Sequence, residues 1–156
     1  MRLIKYKTKM TEDRKAILEK EKSVNIPDVD RKMNSPEKVA RLGRYALRIH
    51  EETEEYLYMI CMNTKLDVTS VFELSHGNVN SSVVGIREMF QKALLANAVN
   101  VIVMHNHPSG DCTPSKEDVA VTKRMVEAGR LIGVEVLDHL IIGNDKFCSL
   151  KEKGYL

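Results

Sequence analysis

The stretch Val101-Ile-Val-Met-His-Asn-His-Pro-Ser-Gly-Asp-Cys-Thr-Pro-Ser-Lys-Glu-Asp118 decides how the rest of the chain is read. Its four apolar residues predict a short buried strand, which runs directly into His105 and His107. In an extended backbone, residues two apart point to the same side, so the strand end aims both imidazoles at one point. The segment Pro108–Pro114 reads as a loop, after which Asp118 returns on the first turn of a helix. Two imidazoles and one carboxylate form the donor set of a catalytic zinc, which keeps a fourth position open for water. The lack of paired thiolates nearby argues against a structural zinc. With 5 histidines in 156 residues, an H-x-H arises by chance roughly 0.15 times per chain, and fixing Ser115 and Asp118 lowers that by a factor on the order of a few hundred. Helix capping explains Ser115-x-x-Asp118 or Thr113-Pro114 ahead of a helix. It does not explain two histidines at the end of the preceding strand.

Working outward, Ser35-Pro36 starts a helix whose Val39, Leu42, Ala46 and Ile49 share one apolar face. Tyr56–Met62 reads as a buried strand, Asn63-Thr64-Lys65 as a turn, and Asp67–Leu74 as the returning strand of a hairpin. Gly77, Asn78 and Asn80 mark a loop. Arg87–Ala98 reads as a helix with Phe90, Ala93, Leu94 and Ala98 inward. Downstream, the helix after Ser115 is expected to bury Val119, Val121, Met125, Val126 and Ile132. Val134–Ile142 is a further strong strand and Lys146–Leu150 a short edge strand. Strands alternating with helices predict an α/β or α+β sandwich of layers.

The composition sets the frame for this domain. A chain of 156 residues, 43% hydrophobic and 29% charged, fits one folded domain rather than a disordered, fibrous or coiled-coil protein. Its longest purely apolar run, Tyr56–Met62, is far shorter than the ~20 residues needed to span a bilayer. Residues 1–10 lack the apolar core of a secretory signal. A soluble, cytoplasmic protein with no membrane partner is the expectation. Net charge is +2, but residues 1–34 are basic, and that lead segment is the feature that favours nucleic acid. Thr11–Lys22 within it is charge-rich and helix-prone, so residues 1–34 read as a basic N-terminal segment and 35–156 as the compact domain. Three cysteines at wide spacings, Cys61, Cys112 and Cys148, indicate no disulfide framework.

Residues 35–156 resemble the C-terminal domain of the RadC family, within the JAMM (MPN+) zinc metallopeptidase group. The resemblance rests on His105-Asn-His-Pro-Ser-Gly110, Thr113-Pro-Ser-Lys-Glu-Asp118, Arg87-Glu-Met-Phe90 and Asp138-His-Leu-Ile-Ile-Gly143. It implies a mixed β-sheet flanked by helices in a JAB/MPN-like (cytidine-deaminase-like) three-layer sandwich. It also implies Zn2+ on His105, His107 and Asp118, with Ser115 steadying a tetrahedral intermediate. A glutamate just before the opening strand would be the general base. That is Glu55, preferred to Glu54, which alternation turns to the opposite face. Glu73 and Glu88 rank lower. The implied activity is hydrolysis of an amide in a peptide or protein substrate, by a peptidase or isopeptidase.

The alternative of another class is a non-catalytic accessory or DNA-repair-associated binding module. RadC-like chains often carry a helical DNA-binding-type region ahead of this domain, and residues 1–34 are too short for it. Cys112 stands in the loop where a residue such as proline is expected and reads as a bystander thiol. His50 and His76 read as ordinary structural histidines. His139, beside Asp138, reads as a buried, hydrogen-bonded side chain, with a supporting role at the metal as the lower-ranked alternative. Zinc deaminases are excluded by the absence of P-C-x-x-C, and a helical H-E-x-x-H is absent too.

Overall fold

The fold is taken from a computed structural model, in which residues 1–26, 30–77 and 84–156 are described. The loop expected at Asn78 and Asn80 lies outside the described residues. Among the described residues, seven strands form one mixed sheet in the order β2-β1-β4-β3-β5-β6-β7. They are β1 (Arg2–Met10), β2 (Ala16–Asn25), β3 (Glu55–Met62), β4 (Val68–Gly77), β5 (Asn100–Asn106), β6 (Glu135–Ile142) and β7 (Phe147–Ser149). The helices are α1 (Pro36–Leu42), α2 (Ile86–Leu95) and α3 (Lys116–Ile132).

The sheet is central because both of its faces are apolar. Along β3, Leu57, Met59 and Cys61 pack with Met89 and Phe90 of α2 and Val121 and Met125 of α3. The alternate residues Tyr58, Ile60 and Met62 pack with Val39 and Leu42 of α1 on the other face. A strand covered on both sides reads as one unbroken apolar run, which is why Tyr56–Met62 has no polar interruption. Each such side chain, fully removed from water, contributes ~1.5–3 kcal/mol. The result is the α+β three-layer arrangement expected from the sequence.

Several local expectations change. Thr11–Lys22 is not helical: it forms the turn and most of the second strand of a β1–β2 hairpin. Helix propensity loses to pairing, because β1 also runs parallel to β4 around Lys5 and Val71. Cross-strand charges replace helical ones, with Glu19 held between Lys7 and Lys9 at 3.0 and 3.1 Å. The outer strand β2 carries Glu19-Lys20-Glu21-Lys22, a charged edge that resists pairing with other chains.

The helix begun at Ser35 ends at Leu42, continues as a wider π turn over Gly43–Leu47, and breaks where Arg48 is left-handed at φ 53°. The Arg44 guanidinium, on that turn, donates to the carbonyls of Gly143, Asn144 and Lys146. In α2, Leu94 is 57% exposed rather than buried, and in α3 Ile132 is 43% exposed. Both lie near helix ends. Among the described residues no helix is long and apolar enough to cross a membrane.

Candidate metal centre

The antiparallel register of β3 on β5 pairs Leu57 with His105. Two residues outward along each strand, the same alternation puts Glu55 and His107 on the α3-facing side. The parallel pairing of β5 with β6 sets His139 beside Val103 on that side as well. Helix α3 covers this face, and its first turn delivers Asp118. Glu54 precedes β3 and turns its carbonyl to Asn106.

His105, His107 and Asp118 converge, with one donor atom from each lying within 4.8 Å of the others. His105 Nε2 stands 3.0 Å from His107 Nε2 and 3.3 Å from Asp118 Oδ1, and His107 Nε2 is 3.5 Å from Asp118 Oδ2. A tetrahedral zinc with bonds of ~2.0–2.1 Å requires donors about 3.3 Å apart. The three distances bracket that figure.

The proton positions agree with this fit. His107 Nδ1 lies 2.6 Å from the Asp111 carbonyl, which can only accept, so Nδ1 carries the proton and the neutral ring presents a bare Nε2. Across from it, His105 Nδ1 meets His139 Nε2 at 2.8 Å, which engages the outer nitrogen of that ring too. With both outer nitrogens engaged elsewhere, the two Nε2 atoms and the Asp118 oxygens turn toward one point, where a cation can take their lone pairs. The donor set therefore fits a divalent cation.

Electrostatics point the same way. Burial raises the Asp118 carboxyl, but the adjoining His105 and His107 rings and Ser115 outweigh it and hold the group far below the usual carboxylate range. The same Asp118 contact raises His107 above the ordinary imidazole value, with burial opposing and the Glu55 charge adding to the rise. The carboxylate of Glu55 is thus near enough to act on His107. Burial, reinforced by His105, pushes His139 well below the ordinary range.

Ser115 is the N-cap of α3, rather than Thr113, whose hydroxyl and amide both turn to Asp111. Its hydroxyl oxygen accepts the Asp118 N–H at 3.0 Å, and its own N–H donates to Asp118 Oδ2 at 2.8 Å. One capping box therefore starts the helix, orients the Asp118 carboxylate and leaves Ser115 at the exposed rim. Cys112, by contrast, packs against the small cluster of Ile141, Cys148 and Leu150. His76 stacks on Tyr56 and bonds Glu73, and His50 sits on a 3-10 turn beside Glu51.

Two further residues serve this site that sequence reasoning assigned no role. Asn106, the middle residue of H-x-H, accepts from the Tyr56 N–H and donates to the Glu54 carbonyl, gripping β3 on both sides of Glu55. Thr122, one helical turn past Asp118, donates to the Asp118 carbonyl and contacts His139 Nδ1, both at 2.6 Å. Its position four residues after Asp118 was the available signal. The loop carrying His107 is seated by the His107 N–H on the Ile142 carbonyl at 3.0 Å. Gly110 turns that loop at φ 82°.

The chain matches the family model described as the RadC-like JAB domain over residues 33–155. It is 47% identical to a UPF0758 protein of Geobacillus sp. (strain WCH70), with 73% of this chain and 56% of that protein covered. It is 48% identical to the UPF0758 protein YsxA of Bacillus subtilis (strain 168), over 80% of this chain and 53% of that one. With a UPF0758 protein of Geobacillus thermodenitrificans (strain NG80-2) it shares 53% identity, over 67% and 46%. A mixed sheet with this histidine and aspartate cluster at its rim defines the class, and the chain belongs to the RadC-like JAB domain family. It spans about half the length of the curated relatives it matches.

Proposed function

We propose that this domain is a zinc-dependent hydrolase of amide bonds, a peptidase or isopeptidase, with His105, His107 and Asp118 holding the ion. The observation that carries the reading is the convergence of three donors at 3.0–3.5 Å, with the outer nitrogens of both imidazoles engaged elsewhere. Bound there, zinc supplies Lewis acidity, bringing the pKa of water from ~15.7 toward ~7 and polarising a carbonyl oxygen.

The remaining work falls to side chains of this chain. Glu55, half-buried on the same side of the sheet as His107, takes the proton of the attacking water and returns it to the departing amine. The Ser115 oxygen is occupied by the Asp118 N–H, but its single proton is not committed by that bond. That proton is available to the oxyanion as the carbonyl becomes tetrahedral, a contribution of ~3 kcal/mol. Asn106 holds the Glu55 backbone in register while this happens.

The non-catalytic, nucleic-acid-binding alternative rests on the basic residues 1–34. Within the hairpin, Lys5 pairs with Glu73 and Glu21, Lys7 and Lys9 with Glu19, and Lys15 with Asp13. Charges already paired in this way release fewer counterions on meeting phosphate, so the hydrolase reading is preferred.

The test uses zinc-loaded protein and a mixed peptide and isopeptide library, with new amine ends read by mass spectrometry. The wild type is expected to produce them, and Glu55→Gln to hold zinc while producing none. A zinc-loaded wild type that cleaves nothing, or a Glu55→Gln variant with full activity, contradicts the assignment.

A further inference from the structure

We propose that Thr122 and His139 form a hydrogen-bond chain that positions His105, presenting its Nε2 lone pair to the cation. The proposal rests on the metal reading above and adds to it two residues that touch neither the ion nor the substrate.

The direction of the chain follows from which groups can donate. Thr122 Oγ1 lies 2.6 Å from the Asp118 carbonyl, which has no proton, so the single hydroxyl proton goes there. The oxygen is then an acceptor toward His139 Nδ1 at 2.6 Å, and Nδ1 must carry the proton. In a neutral imidazole that leaves His139 Nε2 as an acceptor, facing His105 Nδ1 at 2.8 Å. A second proton on His139 would bury a charge on a ring with 0% exposure whose partners are the Thr122 hydroxyl and the His105 ring. His105 therefore donates through Nδ1, and its remaining nitrogen, Nε2, is bare on the side of His107 and Asp118.

The chain begins and ends on the same site. Asp118 offers its side chain to the cluster and its main-chain carbonyl to Thr122, so the helix turn that delivers the carboxylate also orients the imidazole opposite it. His139 itself is held by its backbone. Its N–H donates to Asp138 Oδ1 at 2.7 Å, and Asp138 is in turn bonded by Ser149 Oγ and the Lys151 N–H. This gives the Asp138-His139 pair a division of labour, with Asp138 fastening β7 and His139 facing α3. Hydrogen bonds of this kind set both the tautomer and the basicity of a ligating histidine.

The experiment combines histidine tautomers with zinc affinity. Long-range proton–nitrogen spectra of 15N-histidine-labelled wild type are expected to show His139 as the Nδ1–H tautomer with and without zinc. His105 is expected to show it in the zinc-loaded form. By chelator competition, His139→Leu should bind zinc about 10- to 100-fold more weakly, the usual cost of losing such a partner. His139→Gln, whose amide oxygen can accept from His105, should restore most of the affinity, a rescue that a purely packing role does not predict. Thr122→Val, nearly isosteric, should weaken zinc in the same direction and shift the His139 tautomer, which decides the matter if His139→Leu does not fold. An Nε2–H tautomer at His139, or wild-type zinc affinity in both His139→Leu and Thr122→Val, overturns the proposal. A wild type that binds no zinc refutes the metal reading instead, and the His139 tautomer in the metal-free protein still decides the hydrogen-bond chain.

Discussion

Asn106 Oδ1 accepts the backbone N–H of Tyr56 at 2.7 Å, so the residue between the two histidines fastens the strand that carries Glu55. Its amide nitrogen completes the grip on the Glu54 carbonyl at 2.9 Å. Asn106 is 1% exposed, and removing its side chain strands two main-chain polar groups. Asn106→Ala should therefore lose roughly 1–3 kcal/mol of stability in urea unfolding. It should still bind zinc, since neither imidazole is touched.

Ser115 is given two roles, and they can be separated. Ser115→Ala removes both cap and hydroxyl, and should cost ~1 kcal/mol of stability. Ser115→Gly retains most of the cap, costing only a few tenths of a kcal/mol. Turnover on any substrate found should fall on the order of 10²- to 10³-fold in both, as for loss of an oxyanion donor. A rate loss that tracked stability instead would leave Ser115 with capping alone.

Gly143 closes the Asp138–Gly143 run at a point where a Cβ would overlap the Gly110 carbonyl. Backbone cannot swing aside as a side chain can. Gly143→Ala should displace the loop that carries His107, with a stability loss of roughly 1–3 kcal/mol and weaker zinc binding. Calorimetry and chelator competition measure the two effects, and an unchanged zinc affinity would show that the loop is not set by this contact.

The docking of the N-terminal hairpin has a pH signature. Burial raises Glu73, but Lys5 and His76 outweigh it and hold the carboxyl below its ordinary value. Burial lowers Lys5, and the Glu73 hydrogen bond and nearby charges outweigh that in turn and raise it. A depressed carboxylate pKa stabilises the fold above the unfolded value of 4.5, and that stability disappears as pH falls through the folded value. The difference in unfolding free energy between wild type and Glu73→Gln should be roughly 1 kcal/mol at neutral pH. It should shrink toward zero in acid. A pH-independent difference would mean that the Lys5–Glu73 pair does not join β1 to β4.

Most of the sheet and the metal cluster could be read from the sequence because their signals are local. Tyr56–Met62 and Val101–Met104 are unbroken apolar runs, and the strand's period of two turns His105-x-His107 into a geometric statement. The hairpin over residues 2–25 was missed for the opposite reason. Arg2–Met10 does alternate Lys with apolar side chains and pairs along its length with β2, but the contact that joins this hairpin to the sheet is with β4, some 60 residues away. Thr122 and Asn106 were missed because a threonine in a helix and an asparagine in a strand are ordinary. Their roles appear only when β3, β5, β6 and α3 are brought together. Leu94 and Ile132 fit the helical period yet are exposed, since periodicity marks a face and does not say how much of it the neighbouring elements cover.

The most direct test of the central claim is the zinc content of the protein after equilibration with zinc and removal of the unbound metal. The wild type should retain about one ion per chain, whereas His105→Ala and Asp118→Ala, shown folded by circular dichroism, should retain almost none. A wild type that emerges without bound zinc, or variants that hold as much as it does, would contradict the account.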